Sequence, residues 1–177
     1  RSHDYSQIKE CYRPGHADYT FDVKYGFRDY RGGGRSSGRE TIGRVAGGAV
    51  ASALLKELGI TVTAYTKAIG PYEIPTEEYD LSVISSSPLF MPHLGYSKKA
   101  EAYLKECMEK KDSAGGIIEC IIEGMPAGIG EPVFQKLDAL LAHAMLSIGS
   151  VKGFEIGSGF SASRSKGSLN NDAFCMD

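Results

Sequence analysis

Three consecutive glycines, Gly32, Gly33 and Gly34, stand just ahead of a strongly periodic apolar segment and constrain this chain more than any other feature. A glycine run resists incorporation into helix or strand, because residues without a Cβ lose the most backbone freedom on ordering. A regular element therefore has to begin after it. Ile42, Val45, Ala46, Ala49, Val50, Ala53 and Leu54 recur at the spacing of one helical face. Ser37 followed by Glu40 reads as a capping box, and Gly59 is placed to stop the helix after Leu58.

The same stretch carries the chemistry. Between Arg28 and Thr41 the chain places Arg28, Arg31, Arg35 and Arg39 around the glycines, with hydroxyls at Ser36 and Ser37. Glycines let a backbone approach a ligand closely, a helix start presents free N–H groups, and guanidinium forks match phosphate and carboxylate oxygens. An anion site is the functional reading, and a glycine hairpin with solvated arginines is the competing one. The loop is no Walker A motif, since the Gly-Lys-Ser/Thr ending is absent.

Further elements follow from pattern. Ile60 to Ile69 and Gly116 to Ile122 read as strands, and Ser97 to about Lys110 as a second helix. A third helix is expected with Pro132 in its first turn and Val133, Leu137, Leu140, Leu141, Ala144, Met145 and Ile148 on one face. Val151 to Ile156 reads as a final strand, followed by a polar tail rich in Gly, Ser and Asn. No repeat or linker divides the chain. The expectation is one α+β or layered α/β domain over 1–177, with 157–177 as a flexible tail.

Composition narrows the function classes. With 20 Lys and Arg against 22 Asp and Glu, the formal charge of −2 argues against a general nucleic-acid binder. Residues 1–50 nevertheless hold nine Lys and Arg against six Asp and Glu, so the basic character is local, as a focused anion pocket requires. Cys11, Cys107, Cys120 and Cys175 lack metal-ligand spacing, which leaves no metal site expected. The periodic context of Cys107 and Cys120 suggests buried, reduced thiols of a cytoplasmic protein. No apolar run reaches membrane-spanning length.

Two other segments invite functional readings. In Arg13-Pro14-Gly15-His16-Ala17-Asp18 a histidine sits in a turn beside an acid, where it could hold or move a proton near neutral pH, although a structural histidine would look the same. His3, His93 and His143 have less context, and His143 reads as structural. Gly149 and Ser150, after the third helix, are small enough for a bulky ligand to reach the backbone, but a helix C-cap glycine needs the same residue.

Taken in order, four of these segments resemble the chorismate synthase family: Arg13 to Asp18 (R-P-G-H-A-D), Arg28 to Thr41 (R-D-Y-R-G-G-G-R-S-S-G-R-E-T), Gly130 to Ala139 (G-E-P-V-F-Q-K-L-D-A) and Ser147 to Phe160 (S-I-G-S-V-K-G-F-E-I-G-S-G-F). Ala114 to Glu119 fits between them, and the likeness runs from about Tyr5 to Asp172. The resemblance implies a layered β-α-β sandwich, incomplete in this chain. It also implies a lyase of the shikimate pathway, converting 5-enolpyruvylshikimate 3-phosphate to chorismate and phosphate by 1,4-anti elimination.

By the same resemblance the enzyme requires reduced FMN without net redox change, with NADPH as a candidate source of reducing equivalents. Arg13 and Arg39 correspond to substrate-anion ligands and His16 to the histidine near the flavin. Arg35, Ser36 and Ser37, and separately Gly149 and Ser150, correspond to cofactor-binding segments. The family more often has Asn-Ala at the last pair, Ala at Gly38 and Asp at Gln135. Its members are longer, with an N-terminal Gly-Glu-Ser-His-Gly motif and a C-terminal Lys-Pro-Thr-Ser-Ser motif. The chain is therefore expected to be the central portion of a homotetrameric enzyme, inactive alone. A non-catalytic flavin- or anion-binding or oligomerisation fragment is the alternative.

Overall fold

The structure is a computed structural model that describes residues 5, 6, 8–34 and 37–175. Its regular elements are helix α1 (Asp18–Tyr25), helix α2 (Thr41–Glu57), strands β1 (Thr61–Ile69) and β2 (Tyr72–Glu73), helix α3 (Leu94–Glu109), strand β3 (Gly116–Glu123) and helix α4 (Leu137–Leu146). The class is α+β, as the sequence suggested. The chain divides into two compact units, residues 49–125 and the combination of 1–48 with 126–177, so the division falls within α2.

The 49–125 unit is built on a three-stranded antiparallel sheet in the order β2-β1-β3. β1 is rich in β-branched residues and Tyr, which suit a pleated surface. It pairs with β3 from Thr61↔Glu123 to Ile69↔Gly116, with a bulge between Thr66 and Ala68. Glycines close both ends of β3. A Cβ at Gly116 would lie 2.6 Å from the Ala68 carbonyl oxygen, and one at Gly124 would lie 2.1 Å from that of Gly59.

The segment between β2 and α3 folds over the sheet face that carries Tyr65. Ile74, Met91 and Ala100 form its core, with Ile69, Tyr79, Leu89 and Tyr96 packed around them. Burying a side chain the size of Met91 or Ile74 contributes about 1.5–3 kcal/mol. Glu119 accepts hydrogen bonds from Tyr65 Oη (3.1 Å) and Tyr79 Oη (2.9 Å), which ties β1, β3 and the covering segment together. On the opposite face Val62, Ala64, Ile118 and Cys120 are exposed. Cys120 is thus not the buried thiol that its apolar neighbours suggested; it alternates onto the uncovered side, while Cys107 is half-buried and all four cysteines are free.

Three boundaries differ from expectation. α3 begins before Ser97, because His93 caps it: Nδ1 accepts from the N–H groups of Gly95 (3.0 Å) and Tyr96 (3.3 Å). Ser97, the expected first residue of this helix, is buried and accepts a hydrogen bond from Ser87 Oγ at 2.9 Å. α4 starts only at Leu137. Pro132 lies instead in a loop closed by the Gly130–Lys136 bridge and by Glu131 N–H to the Gln135 carbonyl (2.8 Å), with Val133 at φ 69°. Residues 151–156 form no strand among the described residues; Phe154 and Ile156 instead line an open cavity of about 440 Å³ beside Ala139 and Ala142 of α4. Beyond them the chain makes short 3-10 turns at Gly159–Arg164 and Gly167–Leu169.

Candidate active site

The first candidate segment is a tight turn. Pro14 presets its own φ, and Gly15 takes φ 71°, the left-handed value that a type II turn needs at its third position. His16 N–H closes the turn on the Arg13 carbonyl at 3.2 Å. The exposed His16 ring bonds through Nδ1 to the Pro14 carbonyl at 3.0 Å. Since a carbonyl only accepts, Nδ1 carries the proton and Nε2 is the lone-pair nitrogen of the neutral ring.

Helix α1, which the sequence reading passed over, follows at once and begins with Asp18. Its buried carboxylate is filled with donors: Arg13 N–H at 3.0 Å, Arg13 Nε at 2.8 Å and Arg28 Nη1 at 2.9 Å on Oδ2, and Arg13 Nη2 at 2.8 Å on Oδ1. Hydrogen bonding from Arg13 holds this carboxyl well below the usual range against the opposing effect of burial, with the charge of Arg28 adding to it. Arg13 therefore spends the Nε/Nη2 edge of its guanidinium on Asp18. Nη1 makes no hydrogen bond or ion pair among the described residues and, with the second hydrogen of Nη2, suits one more oxyanion, while the Tyr5 ring centroid lies 6.0 Å from the guanidinium carbon.

Arg28 is different. Besides Asp18 it lies 3.5 Å from Asp22 through Nε, donates through Nη2 to the carbonyls of Lys9 (2.6 Å) and Cys11 (2.7 Å), and sits over the Tyr12 ring at 5.1 Å. Every nitrogen is engaged, so this arginine is a clamp rather than a ligand-binding group.

The glycine loop gathers around Asp29, whose side chain accepts from Arg31 N–H at 3.0 Å and whose carbonyl accepts from Gly33 N–H at 2.8 Å. Arg35 and Ser36 lie outside the described residues. Ser37 does cap the helix start, with Oγ accepting from Arg39 N–H at 3.3 Å; Glu40 N–H goes to the Ser37 carbonyl instead of its hydroxyl, because the first turn is 3-10. The exposed Arg39 guanidinium lies against Gly32, where an added Cβ would meet Nη1 and Nη2 at 3.4 Å.

At the end of α4, Gly149 and Ser150 form a turn closed by Val151 N–H on the Ile148 carbonyl (3.3 Å). Ser150 stands at φ 73°, and nothing lies within 4 Å of an added Cβ at Gly149. Arg44 of α2 pins this end, donating through Nη2 to the Ser147 carbonyl (3.0 Å) and hydroxyl (3.3 Å). Arg44 was not singled out from sequence, and Asp18 only as an acid near His16, whereas its carboxylate serves Arg13 and Arg28. Among the described residues no hydrogen bond or ion pair joins the Arg13–His16 turn to Arg39 or to Gly149–Ser150. Nor do the described residues hold a group of three His, Cys, Asp or Glu side chains fit for a metal, or a helix long and apolar enough to cross a membrane.

The α+β chain thus carries arginines at glycine-rich turns, with a histidine beside one of them, and such forks suit anionic oxygens. The family model for chorismate synthase matches residues 1–177, and the chain belongs to that family. It is 67% identical over 177 residues to the chorismate synthase of Lachnoclostridium phytofermentans, covering 100% of this chain and 48% of that protein. With the chorismate synthase of Agathobacter rectalis it shares 57% identity over 176 residues, covering 99% and 48%. A crystal structure of chorismate synthase superposes with a TM-score of 0.80 at 33% identity, covering 89% of this chain and 52% of the other. The chain thus spans about half the length of the relatives it matches.

Proposed function

We propose that the protein carrying this sequence eliminates phosphate from 5-enolpyruvylshikimate 3-phosphate to give chorismate, with reduced FMN as cofactor. The observation that carries this reading is the Arg13–His16 turn: a guanidinium clamped along one edge, open at the other, and three residues from a histidine with a lone pair at Nε2. Arg13 and Arg39 bind the substrate's phosphate and carboxylates. Two guanidinium forks, that of Arg13 held in place by Asp18, stabilise charge on a departing phosphate without a metal.

A phosphorylated flavin fits the donor set of the described residues. Ser37 caps the 3-10 turn ahead of α2 with its hydroxyl, Gly149 leaves open space beside its backbone, and Arg39 brings a cation. Ser37, Gly149 and Ser150, with Arg35 and Ser36, would hold it, and His16 would hold or deliver a proton beside it. When bound, the reduced flavin supplies electron density to the elimination. The active form is a cytoplasmic homotetramer, and NADPH is the source of reducing equivalents. No observation favours a stand-alone binding or assembly fragment.

The test is anaerobic assay of the open reading frame that carries this sequence, with chemically reduced FMN and 5-enolpyruvylshikimate 3-phosphate. Stoichiometric chorismate and phosphate are expected, and none is expected from the 177-residue chain alone. No product from the whole reading frame overturns the proposal. Arg39→Ala should raise the substrate KM roughly 10- to 100-fold, the value of a charge-assisted hydrogen-bonded pair, with far-UV circular dichroism unchanged. His16→Ala should lower kcat more than it weakens flavin binding.

A further inference from the structure

We infer that Asp18 is a positioning residue for the reaction, holding Arg13 so that only the Nη1/Nη2 end of its guanidinium meets the substrate's anionic groups. This rests on the reading of Arg13 as a substrate ligand and adds a residue to which neither composition nor motif assigned a role. Three features carry it.

The first is edge use. Asp18 takes Nε and Nη2 of Arg13 at 2.8 Å each, a two-point contact that fixes the guanidinium plane as well as its position. Asp18 also accepts the Arg13 backbone N–H at 3.0 Å, so backbone and fork are set by the same carboxylate. The second is burial. The side chains are 7% exposed for Asp18 and 10% for Arg28 but 23% for Arg13, so the clamp is enclosed while the fork keeps an open end. The third is charge. Arg28 is a second cation on Asp18, itself anchored on the carbonyls of Lys9 and Cys11. It offsets the Asp18 carboxylate, and with Asp22 3.5 Å from Arg28 Nε the group holds two cations and two acids, so Arg13 attracts an anion through its oriented N–H donors rather than through a surplus of charge. An unsupported arginine would have to order a long side chain on each binding event; this one is ordered beforehand.

The test uses Asp18→Asn in the open reading frame that carries this sequence, with kcat, the KM for 5-enolpyruvylshikimate 3-phosphate, and thermal midpoint measured in parallel. An asparagine keeps the shape but turns a donor toward the guanidinium edge and removes the charge. The expected result is a KM raised about tenfold with kcat held within about threefold, as loss of one oriented charge-assisted contact predicts. In an Arg13→Ala background the same substitution should leave KM where Arg13→Ala alone puts it, since positioning needs something to position. A thermal midpoint that falls while KM stays at the wild-type value would make Asp18 purely structural and overturn the inference. Additive effects of the two substitutions on KM would do so as well. If Asp18→Asn does not fold, Asp18→Glu takes its place: it keeps the charge, displaces the fork by one methylene, and should raise KM with kcat retained. An unchanged KM in Arg13→Ala would instead remove Arg13 from the substrate site, and that result is distinct from failure of the inference alone.

Discussion

Val133 stands at φ 69° with 69% of its surface exposed, a conformation that a β-branched side chain adopts only under constraint. The strain is about 1–2 kcal/mol, and little burial compensates it. Val133→Gly should raise the unfolding midpoint, with a net gain of roughly 0.5–1 kcal/mol after the added unfolded-state entropy is subtracted; a lower midpoint in thermal unfolding would contradict the strain. Tyr65 and Tyr79 provide a second test. Burial, followed by hydrogen bonding to Glu119, pushes the Tyr65 phenol up to about 12 and raises that of Tyr79 as well. Their stabilising effect is complete below the ordinary tyrosine value of about 10 and is lost as pH rises through the native value. In an absorbance titration of phenolate formation these two of the ten tyrosines should ionise last, together with loss of structure, and Glu119→Gln should bring that transition to lower pH. At this scale sequence shows which side chains are charged but not where the charge is spent. Arg28 and Arg39 look alike in the glycine-rich stretch, yet one is consumed by carbonyls and carboxylates twenty or fewer residues away and the other is exposed.

Among the elements, β3 has the least freedom to shift. Gly116 and Gly124 bracket it where the neighbouring backbone leaves no room for a side chain, so a slip of the β1–β3 register would carry a Cβ into a carbonyl. Gly124→Ala, at φ 75°, should cost about 2–4 kcal/mol, combining left-handed strain with overpacking, and chemical denaturation would show it. A loss under about 0.5 kcal/mol, the range of ordinary surface changes, would mean that the loop relaxes freely. The elements legible in sequence, α2, β1, β3 and most of α3, are those with long uninterrupted periodicity. α1 was not legible because Asp18–Tyr25 has almost no amphipathic contrast, and its first carboxylate serves an arginine rather than a cap. α4 was read too long because an apolar run continues upstream through a loop that Val133 and the Gly130–Lys136 bridge remove from the helix. The N-cap of α3 was missed because a histidine seldom serves as one.

At the scale of the molecule, α2 is the outlier. Ile42, Val45, Val50 and Leu54 are 69%, 72%, 74% and 63% exposed, and before the last turn only Arg44 is charged. A broad apolar helix face belongs against another apolar surface, and the chain spans about half the length of its relatives. The 177-residue chain on its own should therefore bind a hydrophobic dye and associate as concentration rises, both effects weakening with Val45→Lys and Val50→Lys together. A monomer without dye binding, by light scattering and fluorescence, would show α2 to be covered from within. The four resembling segments carry the family likeness in the sequence itself, whereas the partners of each arginine depend on the fold.

Asp18 has a consequence over a longer timescale. A carboxylate that satisfies two guanidinium groups makes positions 13, 18 and 28 a single heritable unit. Loss of the acid takes a charged partner from both arginines, leaving Arg28 with Asp22, and loss of either arginine leaves the acid short of a donor. Drift at these positions is therefore blocked one step at a time, and a lineage that abandons the arrangement has to replace all three residues together.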